Sequence, residues 1–255
     1  MFLTVNGQRL HIVLMGSGSK TILAVGGWTG SWELWEEPLT MLSTKGWRAI
    51  AFDHRGSGES PVAPASISVQ SMVDDLVGVL NQLEISSCVL AGESSGGAIA
   101  QIAAVQYPDR FSGLVLIDSA STQRLPIGSN SLAAACKENY PEAVKAFVYK
   151  CLPDPGWDHV RRWGFNLLMR AEPEQAVRLI EMWQEADVPV IDVSQIRQPT
   201  LIIHGTEDLI VPIETSRKLN QAISQSRLIE ISGAGHVPTM THSDEVVAAI
   251  SDHFG

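Results

Sequence analysis

The chain has 255 residues, 45% hydrophobic and 18% charged, the balance of an ordinary globular protein with enough length to bury a sizeable core. Its 18 basic and 28 acidic residues give a net charge of −10, which repels phosphate at long range and speaks against nucleic acid or an anionic membrane surface as a partner. No apolar run approaches the ~20 residues a spanning helix needs, so no membrane insertion is expected.

The predicted elements begin with a hairpin. Phe2–Val5 and Arg9–Met15 flank Asn6-Gly7, a dipeptide suited to a two-residue turn. A Gly-Ser-Gly-Ser turn at 16–19 leads into Thr21–Val25, an apolar run with the character of a strand covered on both faces. Glu37–Ser43 reads as helix and Trp47–Phe52 as the next strand. Strand and helix then alternate. Met72–Leu83 has helical spacing with Asp74-Asp75 expected on its exposed side, Cys88–Ala91 is a strand, Gly96–Tyr107 a helix ended by Pro108, and Gly113–Ile117 a strand. Further on, Thr200–Ile203 and Leu228–Ile231 read as strands around a helix at Ile213–Ile223, and Glu245–Phe254 closes the chain as a helix. The expected fold class is therefore α/β, a mostly parallel sheet that starts with an antiparallel hairpin and carries helices on both faces.

Residues 122–191 break this rhythm. They hold four helical segments (Ser131–Glu138, Glu142–Cys151, Trp157–Met169 and Glu174–Glu185) with prolines at their borders, and no convincing strand. A connection of that length is too long for a simple crossover, so it reads as a helical insertion over one end of the sheet. The expected organisation is a first core part at 1–121, the insertion at 122–191 and a second core part at 192–255. Cys88, Cys136 and Cys151 are odd in number and lack Cys-x-x-Cys spacing, and Met1–Gly7 shows no basic leader or cleavage site. Reduced thiols in a cytoplasmic protein are the expectation.

The chemistry concentrates at strand ends. Val89-Leu90-Ala91-Gly92-Glu93-Ser94-Ser95-Gly96-Gly97 runs a buried strand through Gly-x-Ser-x-Gly directly into a small-residue helix, the setting of a nucleophile elbow. Such a turn tolerates only small residues two before and two after the nucleophile. Ser94 has Gly92 and Gly96 there, whereas Ser95 would have Glu93 two before it. A serine hydroxyl needs a base, and the base needs an orienting acid. His236, in Ser232-Gly233-Ala234-Gly235-His236, follows one strand, and Asp208, in His204-Gly205-Thr206-Glu207-Asp208, follows the strand before it. Catalytic groups collect at carboxyl ends of parallel strands, and Ser…Asp…His is the chain order of this architecture. Asp118, at the end of Leu116-Ile117, is a second possible acid or else a loop anchor.

With these residues the chain resembles the α/β-hydrolase-fold serine hydrolases of the esterase, lactonase and carbon–carbon hydrolase kind over nearly its whole length. The likeness also rests on Asp53-His54-Arg55-Gly56-Ser57-Gly58-Glu59-Ser60, on Gly205-Thr206-Glu207-Asp208-x-x-Val211-Pro212 and on Gly235-His236-x-Pro238. It implies Ser94 as nucleophile, Asp208 as acid, His236 as base, and the 122–191 insertion as a helical cap. It further implies an oxyanion hole from the backbone N–H groups of Trp28 and Ser95. One departure stands out: the family usually has His-Gly-x after the third strand, where this chain has Gly26-Gly27-Trp28.

The remaining candidates read as structure. His54 and Arg55 belong to a hydrogen-bonded loop, His204 to the core, and Glu207 to the solvated surface. His11, His159, His242 and His253 lack ligand spacing, so no metal is expected, and Gly18-Ser19-Lys20-Thr21 does not complete a phosphate loop. Of seven tryptophans, Trp28, Trp32 and Trp35 follow the oxyanion strand and Trp157, Trp163 and Trp183 lie in the insertion, which suggests an aromatic, apolar cleft with Trp28 and Trp183 at the substrate. The expected activity is cofactor-free hydrolysis of a small, rather apolar carboxylic ester or lactone. A carbon–carbon or enol-lactone hydrolase on the same residues, and a slow-turnover ligand receptor of the same fold, are the alternatives.

Overall fold

The computed structural model describes residues 1–123, 126 and 131–255. Strands β1 (Phe2–Val5) and β2 (Gln8–Met15) form the expected hairpin, and both turn residues adopt left-handed backbone, Asn6 at φ 47° and Gly7 at φ 76°. There follow β3 (Lys20–Val25), α1 (Glu36–Thr44), β4 (Trp47–Phe52), α2 (Val69–Gln82), β5 (Cys88–Glu93), α3 (Ser95–Gln106) and β6 (Phe111–Ile117). Helices α4 (Ser131–Cys151), α5 (Asp158–Leu168) and α6 (Pro173–Glu181) come next, then β7 (Thr200–Gly205), α7 (Ile213–Ala222), β8 (Ser226–Ile231), α8 (Pro238–Thr241) and α9 (Ser243–Phe254). The short helix α8 was not anticipated. Four residues that begin with a proline carry no periodicity to detect.

The strands form one eight-stranded sheet in the order β1-β2-β4-β3-β5-β6-β7-β8. Pairings β1–β2 and β2–β4 are antiparallel and all others parallel. Alternate residues of each central strand feed two separate cores, because side chains on a strand point to opposite faces. Leu23, Val25, Ile50, Leu90, Leu114 and Ile202 pack with α2, α3 and α7 on one face. Ile22, Ala24, Ala49, Val89, Val115 and Leu201 pack with α1 and α9 on the other. Every residue of β5 and β7 is buried, which is why these strands read as unbroken apolar runs.

Between β6 and β7 the described residues contain helices and no strand. Helix α4 merges two of the expected segments across a break at Asn139, two residues before Pro141, whose ring cannot continue a regular helix. Residues 124, 125 and 127–130 of the expected insertion lie outside the described residues. Among the described residues no helix is long and apolar enough to cross a membrane.

One sequence expectation is corrected. Asp75 is not on the exposed side of α2 but buried, with Arg55 Nε and Nη2 donating to its two oxygens at 2.6 and 2.9 Å and Asn6 Nδ2 donating at 2.9 Å. It lies on the margin of the apolar face formed by Met72, Val73, Leu76, Val79 and Leu80. A buried guanidinium requires a partner, and that requirement overrides the local polarity pattern.

Candidate active site

The site lies at the carboxyl ends of β5, β7 and β8, where each strand hands over to a loop or helix. Ser94 sits at the sharp turn between β5 and α3 with φ 56° and ψ −124°. Its N–H donates to the Ile117 carbonyl at 2.9 Å, which holds the turn against β6. The flanking glycines are a packing requirement. A Cβ on Gly92 would stand 2.5 Å from the Gly96 carbonyl oxygen, and one on Gly96 would stand 2.4 Å from that of Gly26.

His236 is carried by the loop after β8, and its backbone N–H donates to the carbonyl of Cys151, the last residue of α4, at 2.8 Å. The side chain is buried between two partners: Nδ1 lies 2.7 Å from Asp208 Oδ2, and Nε2 lies 2.9 Å from Ser94 Oγ. The Asp208 carboxylate is itself fixed, since Oδ1 accepts the N–H groups of Ile210 and Val211 at 2.7 and 3.0 Å. Burial alone would raise its pKa. The hydrogen bond to His236 and the two amide donors outweigh burial and hold it below the ordinary carboxylate range. An ionised Asp208 keeps the ring proton on Nδ1 and leaves the Nε2 lone pair facing the serine hydroxyl.

Asp118 has another task. Its Oδ1 accepts the Gly205 N–H at 2.9 Å, which ties the end of β6 to the end of β7, while Oδ2 has no partner among the described residues. Burial first, and then the charge of Asp208, push its pKa well above the usual carboxylate value. His204 lies beneath Asp208, with Nδ1 2.7 Å from Ser216 Oγ and Nε2 3.0 Å from the Val211 carbonyl. Burial lowers its pKa against the pull of Asp208. Asp118, His204 and Asp208 offer ligand atoms within 4.8 Å of one another. The His204 ring, however, spends its Nε2–H on the Val211 carbonyl and holds Nδ1 against the Ser216 hydroxyl. Asp208 is likewise committed to His236. The donor set is therefore poor for a metal. Glu207 is exposed.

The loop after β3 closes over Ser94. A Cβ on Gly27 would stand 2.7 Å from Ser94 Cβ, so the loop can approach this closely only with glycine there. The Trp28 N–H donates to Ser95 Oγ at 2.8 Å, and its indole Nε1–H donates to the Ala176 carbonyl in α6 at 2.9 Å. Gly26 stands where the resemblance implies a histidine, and His54 lies against this loop from the loop after β4. Its Nε2 is 3.3 Å from the Gly27 carbonyl and its Nδ1 is 3.0 Å from that of Arg55. Burial lowers its pKa against the pull of the two carbonyls.

Three residues of the site escaped the sequence reading. Glu93 is buried beside Ser94 with Thr239 Oγ1 donating to it at 3.2 Å, and burial, partly offset by that bond, pushes its pKa up to about 8. The position was readable as the variable residue of the elbow, but nothing local marks it as buried. Phe147 of α4 stands edge-on to Trp28, 4.9 Å between ring centroids, and to His236 at 6.5 Å. Cys151 supplies the carbonyl under His236; it and the other two cysteines are free and buried.

Two cavities meet at Ser94, with Trp28 and Phe147 lining both. One, of about 60 Å³, is walled by His236, Leu34, Val160, Gly164, Leu168 and Met240. The other, of about 380 Å³, is walled by Ser95, Ser121, Gln123, Leu179, Ile180 and Trp183. Trp163 lines the first, whereas Trp35 is fully buried in the core away from both.

The comparisons with known proteins agree with this architecture. The chain is 29% identical over 248 residues to the AB hydrolase superfamily protein YisY of Bacillus subtilis, with 89% of each protein covered. Its fold is similar to an esterase, EaEST, from Exiguobacterium antarcticum, with a TM-score of 0.90 at 23% identity over 99% of this chain and 98% of that one. It is equally similar to an enol-lactonase from Burkholderia xenovorans LB400, with a TM-score of 0.89 at 22% identity over 100% and 99% of the two chains. The model of the α/β hydrolase fold family matches residues 20–179 and 157–243, and the chain belongs to that family.

Proposed function

We propose that the protein is a serine hydrolase that cleaves a small, rather apolar carboxylic ester or lactone through an acyl-enzyme, without a cofactor. The observation that carries this reading is the hydrogen-bonded chain from Ser94 Oγ through His236 to Asp208, set at the junction of two largely apolar cavities. Ser94 Oγ attacks the carbonyl carbon while its proton passes to His236 Nε2, and Asp208 balances the imidazolium that forms. Collapse of the tetrahedral intermediate breaks the carbon–oxygen bond, and the departing alkoxide takes the proton from His236. Water then enters and gives its proton to the same nitrogen as its oxygen bonds the acyl carbon; the acyl–Oγ bond breaks, Ser94 Oγ takes the proton back from His236, and the acid leaves.

The backbone N–H groups of Trp28 and Ser95 form the oxyanion hole in this mechanism, each worth ~3 kcal/mol to the transition state. The Trp28 N–H is donated to the Ser95 hydroxyl and must exchange that acceptor for the oxyanion. Residues 122–191 act as the cap. Their contacts to Trp28 through Ala176 and to His236 through Cys151 fasten the cap to both sides of the reacting carbonyl. Trp183 supports substrate in the larger cavity.

A fluorophosphonate label and proton release from simple alkyl esters test the reading together. The expected result is a covalent adduct on Ser94 and multiple turnover that is lost in Ser94→Ala without loss of fold. An adduct on Ser95, or unchanged turnover in Ser94→Ala, would remove the assignment.

A further inference from the structure

On the reading above, we infer that the two cavities divide the substrate in a fixed sense, the alcohol half in the smaller one beside His236 and the acyl half in the larger one beside Ser95. The protein is then selective for esters of short, uncharged alcohols with longer acyl chains.

The tetrahedral carbon carries Ser94 Oγ, the oxyanion, the leaving oxygen and the acyl carbon. The oxyanion faces the backbone of Trp28 and Ser95. The leaving oxygen must take its proton from His236 Nε2, so it lies on the histidine side. His236 lines only the smaller cavity and Ser95 only the larger. The alkyl group on the leaving oxygen therefore extends into the smaller space, and the acyl carbon turns the other way past Trp28 and Phe147.

Size and charge then set the selectivity. The smaller cavity, about 60 Å³, holds only a few carbon atoms, whereas the larger, about 380 Å³, is some six times as big. Apart from His236, the ionisable side chains walling the smaller cavity are the Glu93 carboxyl and the Cys151 thiol, and no basic side chain lines it among the described residues. A carboxylate on the leaving group would be buried there with no counter-charge. The larger cavity has hydroxyl and amide groups from Ser95, Ser121 and Gln123 at its wall and apolar Leu179, Ile180 and Trp183 around them, a lining for a chain rather than a methyl group.

Ethyl octanoate and octyl acetate test this directly, because they are isomers with the two arms exchanged. The expected kcat/KM is at least ~10-fold higher for ethyl octanoate, since even one methylene in a fitted pocket changes kcat/KM by about that factor. Gly164→Ala provides a second measurement in a variant that should fold, because the added Cβ meets nothing closer than a Val148 methyl at 3.9 Å. It should sharpen the preference for methyl over butyl octanoate several-fold and leave the acyl-length profile of methyl esters unmoved. Equal or better cleavage of octyl acetate, with Ser94 labelled by fluorophosphonate, would overturn the orientation alone. A shift of the acyl profile in Gly164→Ala would also overturn it. Failure to cleave either ester, with no label on Ser94, would overturn the proposed activity and the orientation with it.

Discussion

Replacing Asp208 by asparagine tests the acid role through a single atom. Oδ1 of Asp208 accepts two backbone N–H groups, from Ile210 and Val211, and only an oxygen can do so. In Asp208→Asn the amide oxygen stays with those donors, and the NH₂ faces His236 Nδ1 across the present 2.7 Å contact. The ring must then accept at Nδ1 and carry its proton on Nε2, which points at Ser94 Oγ and can no longer take the serine proton. A base locked in the wrong tautomer costs ~10⁴-fold in turnover, equivalent to about 5.5 kcal/mol. The alternative is to flip the amide, which restores the tautomer but leaves two buried N–H donors unsatisfied at about 1–3 kcal/mol each. The cheaper route wins, so kcat should fall by between ~30-fold and ~10⁴-fold while the fold is retained. Asp118→Asn is the control. Burial and the charge of Asp208 disfavour its ionised form, and an amide that keeps the bond to the Gly205 N–H is nearly isosteric with the carboxyl. Turnover within a few-fold of the parent is expected there. Steady-state proton release from a short alkyl ester, with melting temperatures for both variants, decides the matter. Near-normal turnover in Asp208→Asn, or a collapse confined to Asp118→Asn, would refute the reasoning.

Three further outcomes follow from the packing. Gly27→Ala puts a Cβ 2.7 Å from Ser94 Cβ, and the resulting shift of the loop should lower kcat by ~10²-fold or more; circular dichroism would confirm that the protein still folds. Asp75→Ala strips the buried Arg55 of its carboxylate and should cost about 3–5 kcal/mol in urea unfolding, whereas loss below 1 kcal/mol would contradict the buried pair. Glu93 keeps its proton up to about pH 8 in the folded protein, against a usual value of 4.5. Between those limits the folded state binds more protons than the unfolded one, so this group's stabilising share is full below pH 4.5 and is lost as pH rises toward 8. Glu93→Gln removes that dependence, and its melting temperature should gain on the parent between pH 5 and pH 8; a constant difference would count against a neutral buried Glu93.

Local constraints made much of this protein legible from its sequence. The elbow could be read because its geometry excludes side chains at Gly92 and Gly96, residues within two positions of Ser94, and the hairpin because Asn6-Gly7 satisfies a turn with two left-handed residues. The central strands announced themselves as apolar runs because both faces of the sheet are covered. The match of Gly205-Thr206-Glu207-Asp208 to the family's loop ranked Asp208 above Asp118, but it could not show that Asp118 has its hydrogen bond committed to Gly205. What the sequence withheld lies between elements far apart in the chain. Asp75 looked solvated until Arg55 was seen to need it, and Glu93 looked like a free position of a motif until Thr239 closed over it. Of three tryptophans in one stretch the resemblance singled out Trp28; packing sent Trp35 into the core and Trp28 to the junction of the two cavities. Motifs are fixed by backbone geometry over a few residues, which a sequence records directly. The partners of a buried charge and the walls of a cavity are chosen by whichever side chains the sheet brings within reach, and that choice exists only once the chain has folded.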